Sequence, residues 1–262
     1  MQPKTSTDFV FVYVAVACGL TWALAAPLAL ATIQHAPPAP YAIACAGLSA
    51  FGPLFAALIV AGKQRRIGEV FGRWRTNPAW VVAALFAPMA VHLIATAFAL
   101  ALGREPTQWF HPPTAPERMA ALVVFPTGEE FGWRGFAHPR LVARYGFVKG
   151  SLALGVVWGL WHLVYAVTPE SGGFSLPTFA MTLAELPLYS LLITWVFERA
   201  NRSMAVAIAF HAGAHLDRLE NEPLSDLRIH AMHLVVVAVL ALLAARSLAK
   251  TDRLTPALAV DA

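Results

Sequence analysis

Eight runs of apolar residues recur along the chain, and most are long enough to cross a bilayer. A helix rises ~1.5 Å per residue, so ~20 apolar residues span a ~30 Å hydrocarbon core. The runs are Phe9 to Thr32, Tyr41 to Gly62, Ala79 to Leu102, and Met119 to about Pro139, then Phe147 to Thr168, Leu176 to Phe197, Ser203 to Leu216, and Ile229 to Ala245. The fourth contains charge and the seventh is short. Hydrophobic residues make up 58 % of the 262 positions and charged residues only 13 %. A soluble domain carries ~25 % charge, so this chain cannot coat a water-facing surface of its size. That excludes an ordinary soluble enzyme, a disordered chain and a disulfide-stapled secreted domain. The expected fold is all-α: a polytopic membrane protein with about eight transmembrane helices around a polar cavity. It reads as a single integral membrane domain over residues 1–262, with a catalytic half at about 119–217. The first run exceeds the ~7–15 residues of a signal-peptide core and reads as a retained signal-anchor. Cys18 and Cys45 lie inside apolar runs and read as small buried hydrophobes.

The net charge of +4 raises the question of nucleic acid, and the positions of the basic residues answer it. With a cytoplasmic N-terminus and eight alternating spans, fourteen of the nineteen Lys and Arg residues fall inside. Lys63, Arg65, Arg66, Arg73 and Arg75 share one inner loop, and Arg140, Arg144 and Lys149 another. Only Arg104, Arg118, Arg218 and Arg228 fall outside, and Arg134 lies within span four. This is the positive-inside pattern. The partner expected for these residues is anionic lipid at the inner face, with no nucleic acid. The expected location is a bacterial cell membrane, with both termini cytoplasmic. The basic loop from Lys63 to Pro78 carries Trp74; it suits either an amphipathic stretch on the membrane surface or a solvated loop.

Ionisable residues inside a membrane span are costly and mark function by default. Span four holds Glu129, Glu130 and Arg134, span five holds His162, and span seven holds His211 and His215. Residues four apart share a helix face. Glu130 and Arg134 therefore pair, while Glu129 points ~100° away, so the helix itself supplies no counter-charge for it. A carboxylate in that position suits a general base. Pro126 and Gly128 nearby suit a kink that opens a cavity. His211 and His215 share a face, and Trp158 covers His162 on its own face. So much polarity in lipid makes sense if the groups meet in one wet cavity. His92 and Glu185 have no such company and read as structural. A transporter or proton relay through Glu129, Glu130 and Glu185, and an inert membrane scaffold, are the rival classes. Convergence of Glu129, His162 and His211 separates an enzyme from a transport pathway, which would string them out.

In order and spacing these residues resemble the CPBP family of intramembrane endopeptidases, which includes CAAX prenyl proteases and bacteriocin-processing, Abi-type relatives. The motif Glu-Glu-x-x-x-Arg stands as Glu129, Glu130 and Arg134. Aromatic-x-x-x-His stands as Trp158 and His162, with Trp where the family usually has Phe. His-x-x-x-Asn stands as His211 and His215, with His in the last place. The similarity covers about Thr127 to Leu216 and implies peptide hydrolysis in a cavity open to the cytoplasm. Carried over, Glu129 and His162 activate a water, His211 and His215 hold the oxyanion, and Glu130, Arg134 and Trp158 support them. The resemblance favours a site without a cofactor. It leaves open a Zn²⁺ version that uses Glu129, His162, His211 and His215. The substrate it implies is a peptide or protein, lipidated or membrane-bound.

Overall fold

The structure, a computed structural model, describes residues 6–103, 116–168, 173–216 and 227–254. Lys4, Arg104 and Arg218, three of the basic residues in the orientation argument, lie outside these, as do both chain ends. Helix α1 is Ser6–Ile33, α2 Pro40–Ser49, α3 Gly52–Lys63, α4 Ile67–Val70 and α5 Pro78–Ala101. Then come α6 Pro116–Glu130, a π-helical turn Phe131–Ala137, α7 His138–Trp161, and a 3-10 turn His162–Ala166. Helices α8 Leu176–Arg199, α9 Met204–Leu216 and α10 Leu227–Leu254 complete the order. Among the described residues, strand pairing is confined to a two-residue ribbon and one bridge. The ribbon sets Val167 opposite Phe174 and Thr168 opposite Gly173, and the bridge joins Arg73 and Ser203. The all-α expectation holds.

Local chemistry explains where the helices start. At α5, Asn77 caps the first turn by accepting from the Ala79 N–H at 3.0 Å, and Pro78 follows at a position that has no N–H to satisfy. Ser175 caps α8 in the same way, through the Thr178 N–H. Helices α2 and α3 meet at 56°. The restart at Gly52-Pro53 explains the bend, because proline disfavours helical geometry in the residue before it.

The count of eight spans is not confirmed. Five helices are long and apolar enough to cross a membrane, or six if the bent pair α2–α3 is one span. Two causes account for the difference. The expected fourth and fifth spans lie in one 48-residue run, Met119–Ala166. Within it Gly146 leaves helical geometry at φ 75°, ψ 172°. A Cβ on Gly150 would touch the Leu141 backbone, which nine helical residues would otherwise hold ~13 Å away. The chain therefore doubles back at Gly146. The expected seventh span is α9, whose 13 residues reach only ~20 Å.

The core lies where α1, α3, the π turn, α7, α8 and α9 meet. Tyr13, Trp133, Phe136, Leu154, Trp161, Ile193 and Met204 are fully buried there. Phe11, Phe86, Phe98, Val235 and Leu242 face outward on the long helices. Patches of such apolar side chains would be sticky in water, and lipid tails match them instead.

The basic loop after α3 is neither a free solvated segment nor a simple surface helix. Val70 is fully buried, and the rings of Phe71 and Trp74 pack edge-on against Phe131 at 5.2 and 5.9 Å. Its far end is tied to the start of α9. The Met204 N–H donates to the Arg73 carbonyl at 2.6 Å, and the Ser203 hydroxyl donates to that of Trp74 at 2.9 Å. The loop thus covers one end of the π turn. Gly132 and Gly135 make this possible: a side chain on Gly132 would strike the Pro53 backbone, and one on Gly135 the Val70 carbonyl.

Candidate active site

The helix that carries the acidic pair runs on past Arg134, as its sequence requires, but not as a plain α-helix. Pro126 sits inside α6 without ending it. The departure from α geometry comes at Phe131–Ala137, not at the expected Pro126–Gly128. A π turn holds one extra residue, so side chains beyond it are rotated relative to an α-helix, and such turns recur at functional sites. Arg134 lies in this turn and is buried. Its Nη1 donates to Glu130 Oε1 at 3.0 Å, and its guanidinium lies 5.1 Å from the centre of the Trp158 ring.

The same Glu130 oxygen accepts a second bond, from His211 Nδ1 at 2.8 Å. Glu130 is therefore the hub that joins the π turn to α9. The bond fixes the imidazole, because the proton on Nδ1 faces Glu130 and Nε2 turns the other way. His211 Nε2 lies 4.0 Å from Glu129 Oε2. The His215 ring stacks on His211 with centroids 5.0 Å apart, which follows from their spacing on one helix face.

Glu129 has a partner that the sequence did not reveal. Trp158 Nε1 donates to Glu129 Oε2 at 2.8 Å. Trp158 also covers His162, as expected, with ring centroids 5.9 Å apart. Its backbone carbonyl accepts from His162 Nδ1 at 2.8 Å. One tryptophan thus touches both the carboxylate and the second histidine. His162 starts the 3-10 turn and is flanked by Trp161 at 4.8 Å and Tyr165 at 5.7 Å.

The structure therefore brings Glu129, Glu130, Arg134, Trp158, His211 and His215 together, and sets His162 against the same Trp158. Glu129, His211 and His215 each offer one ligand atom, and these atoms lie within 4.8 Å of one another. This donor set fits a metal ion. A carboxylate on the far nitrogen of a histidine is also the arrangement that orients metal-binding imidazoles. His162, expected as a fourth ligand, is not in that group. His92 and Glu185 each have a neighbour of their own. His92 is buried beside the Thr96 hydroxyl at 3.5 Å, and Glu185 pairs with His233 of α10 at 3.0 Å.

A helical membrane protein with acidic and histidine side chains meeting inside its bundle defines a class: polytopic proteins with a polar, membrane-embedded centre. Comparison with known proteins narrows the likeness. Residues 112–216 match the family described as Rce1-like, Type II CAAX prenyl endopeptidase. That segment contains every residue of the cluster. It supports the CPBP resemblance drawn from the three motifs. A curated relative, CAAX prenyl protease 2 of Methanococcus maripaludis, is 34 % identical over 99 residues. The match covers 34 % of this chain and 35 % of the relative, so the chain spans about a third of the length of the curated relative it matches.

Proposed function

We propose that the protein is a membrane-embedded endopeptidase that cuts a peptide bond near a prenylated C-terminus of a protein substrate. The observation that carries this is the meeting of Glu129, His211 and His215 inside apolar helices. Glu129 takes a proton from a water held against it, and the water oxygen attacks the scissile carbonyl. Trp158 fixes the carboxylate through its indole N–H. His162, held against Trp158, assists. The charge that develops on the carbonyl oxygen falls to His215 and to His211 in its doubly protonated form, whose Nδ1 proton Glu130 holds and whose Nε2 proton is then free to donate, and the leaving amine takes up the proton from Glu129. Glu130 and Arg134 hold His211 at the angle this requires. The bias of basic residues toward alternate loops supports a cavity mouth and both termini on the cytoplasmic side, against anionic lipid.

The bond between Glu130 and His211 favours a second reading. Zn²⁺ held by Glu129, His211 and His215 would polarise the carbonyl and make a bound water more acidic. Glu130 would then act as the orienting carboxylate behind His211.

The test is cleavage of a farnesylated C-terminal peptide by purified protein in lipid nanodiscs, with metal analysis of the same sample. Glu129→Gln keeps the side-chain size and removes the base, so cleavage falls ~10²–10⁴-fold with an unchanged melting temperature. Chelation that abolishes activity, reversed by added zinc, selects the metal reading. Full activity in a metal-free sample selects the other. Wild-type protein that cleaves no prenylated peptide, but moves protons down a gradient, would sink both.

A further inference from the structure

The 3-10 turn that carries His162 is anchored by a chain of hydrogen bonds running into α1 and α2, outside the segment that matches the family. Trp161 Nε1 donates to Thr21 Oγ1 at 2.7 Å. The Thr21 hydroxyl in turn donates to the Ser49 carbonyl at 2.9 Å. Ser49 Oγ donates to the Ala46 carbonyl at 2.6 Å, which uses its single proton. The Tyr165 hydroxyl, 2.7 Å from Ser49 Oγ, is therefore the donor in that contact. Next to Thr21, Trp22 Nε1 donates to the Trp161 carbonyl at 3.0 Å. The linked hydroxyls thus all point one way along the chain.

The network has the features of a positioning device. Thr21 and Ser49 are fully buried in an apolar bundle, where a hydroxyl is tolerated only with a partner. Packing alone would be served by Val and Ala. A side chain on Gly52 would strike the Thr21 hydroxyl, so the restart of α3 is kept open for this contact. The two aromatic residues that the network holds, Trp161 and Tyr165, present their rings edge-on to the His162 imidazole. With Nδ1 bonded to the Trp158 carbonyl, the tautomer is set by the backbone, and the flanking rings limit how far the imidazole can swing.

We propose that Thr21, Ser49 and Tyr165 are positioning residues for the reaction: through Trp161 and the Tyr165 ring they hold His162 in its working orientation. This rests on the endopeptidase reading. It assigns a role to the first two helices, which carry none of the family's motifs.

Thr21→Val removes the hydroxyl and keeps the shape. The expected result is a fall in kcat of up to ~10²-fold, the cost of a ~1 Å misplacement of a reacting group, with KM unchanged. Thr21→Ser restores kcat. On a His162→Ala background, Thr21→Val has no further effect. A second readout is independent of cleavage. In protein with isotope-labelled histidine, the His162 ring signal, assigned by its loss in His162→Ala, moves in Thr21→Val and returns in Thr21→Ser. An unchanged kcat and an unmoved signal in Thr21→Val would overturn the proposal. So would an equal loss of kcat on the His162→Ala background, since the effect would then be general. If Thr21→Val does not fold, Tyr165→Phe carries the same measurements with the same outcomes. Wild-type protein that cuts no peptide defeats the endopeptidase reading itself, whatever the His162 signal does.

Discussion

Glu130 joins two groups with different needs. Arg134 is buried and requires a counter-charge, and His211 requires an acceptor for its Nδ1 proton. Glu130→Gln answers the first need poorly. Breaking a buried ion pair from one side costs ~3–5 kcal/mol, so the variant should melt at a clearly lower temperature and cleave little. Arg134→Gln added to it removes the stranded charge and should recover much of the melting temperature. Cleavage should stay low, because the anionic partner of His211 is still missing. Thermal melting in detergent beside a peptide-cleavage assay reads both. Recovery of cleavage in the double variant would mean that Glu130 only neutralises Arg134. The pair itself was legible, because a spacing of four on a helix needs no tertiary knowledge. Its third member was not, since His211 is 81 positions away. The sequence shows Trp158 only as a cover for His162, because nothing in it reveals where an indole N–H points. The hydroxyls of Thr21 and Ser49 were equally silent, since isolated Thr and Ser residues are common in membrane helices.

Among the elements, the π turn Phe131–Ala137 is the one that a hydrophobic pattern could not reveal. The sequence supports a helix continuing to about Pro139, and the continuity was correct. A change of pitch leaves no periodic mark over seven residues. The visible trace is the pair Gly132 and Gly135, which lets α3 and the Val70 end of α4 close on the turn. Gly135→Ala drives a methyl group into the Val70 carbonyl. Overpacking of this kind costs about 1–3 kcal/mol, and here it also pushes the covering loop away from the site. Melting temperature and cleavage should fall together. Gly19→Ala, where a Cβ meets nothing within 4 Å, is the control and should melt no lower than wild type, since alanine favours a helix over glycine. A Gly135→Ala protein as stable and active as Gly19→Ala would show that the turn adapts.

For the whole molecule, the class and the charge bias are more legible in the sequence than the number of crossings. Hydropathy detects a window of apolar residues. It cannot tell a 13-residue helix lodged among its neighbours, such as α9, from a true span, nor a doubled-back run from two separate helices. The charge bias is testable directly: a reporter inserted after Arg65 should read as cytoplasmic, and one in the stretch 105–114 as external. The reverse result would invert the orientation. The bridge between Arg73 and Ser203 also bears on how the protein is made. The two residues are 130 positions apart, and ribosomes add ~5–20 residues per second. The covering loop therefore emerges on the order of ten seconds before its anchor. During that interval Glu129 and Glu130 enter the bilayer without His211, and the newly made first half has to be kept from wrong partners until α9 arrives.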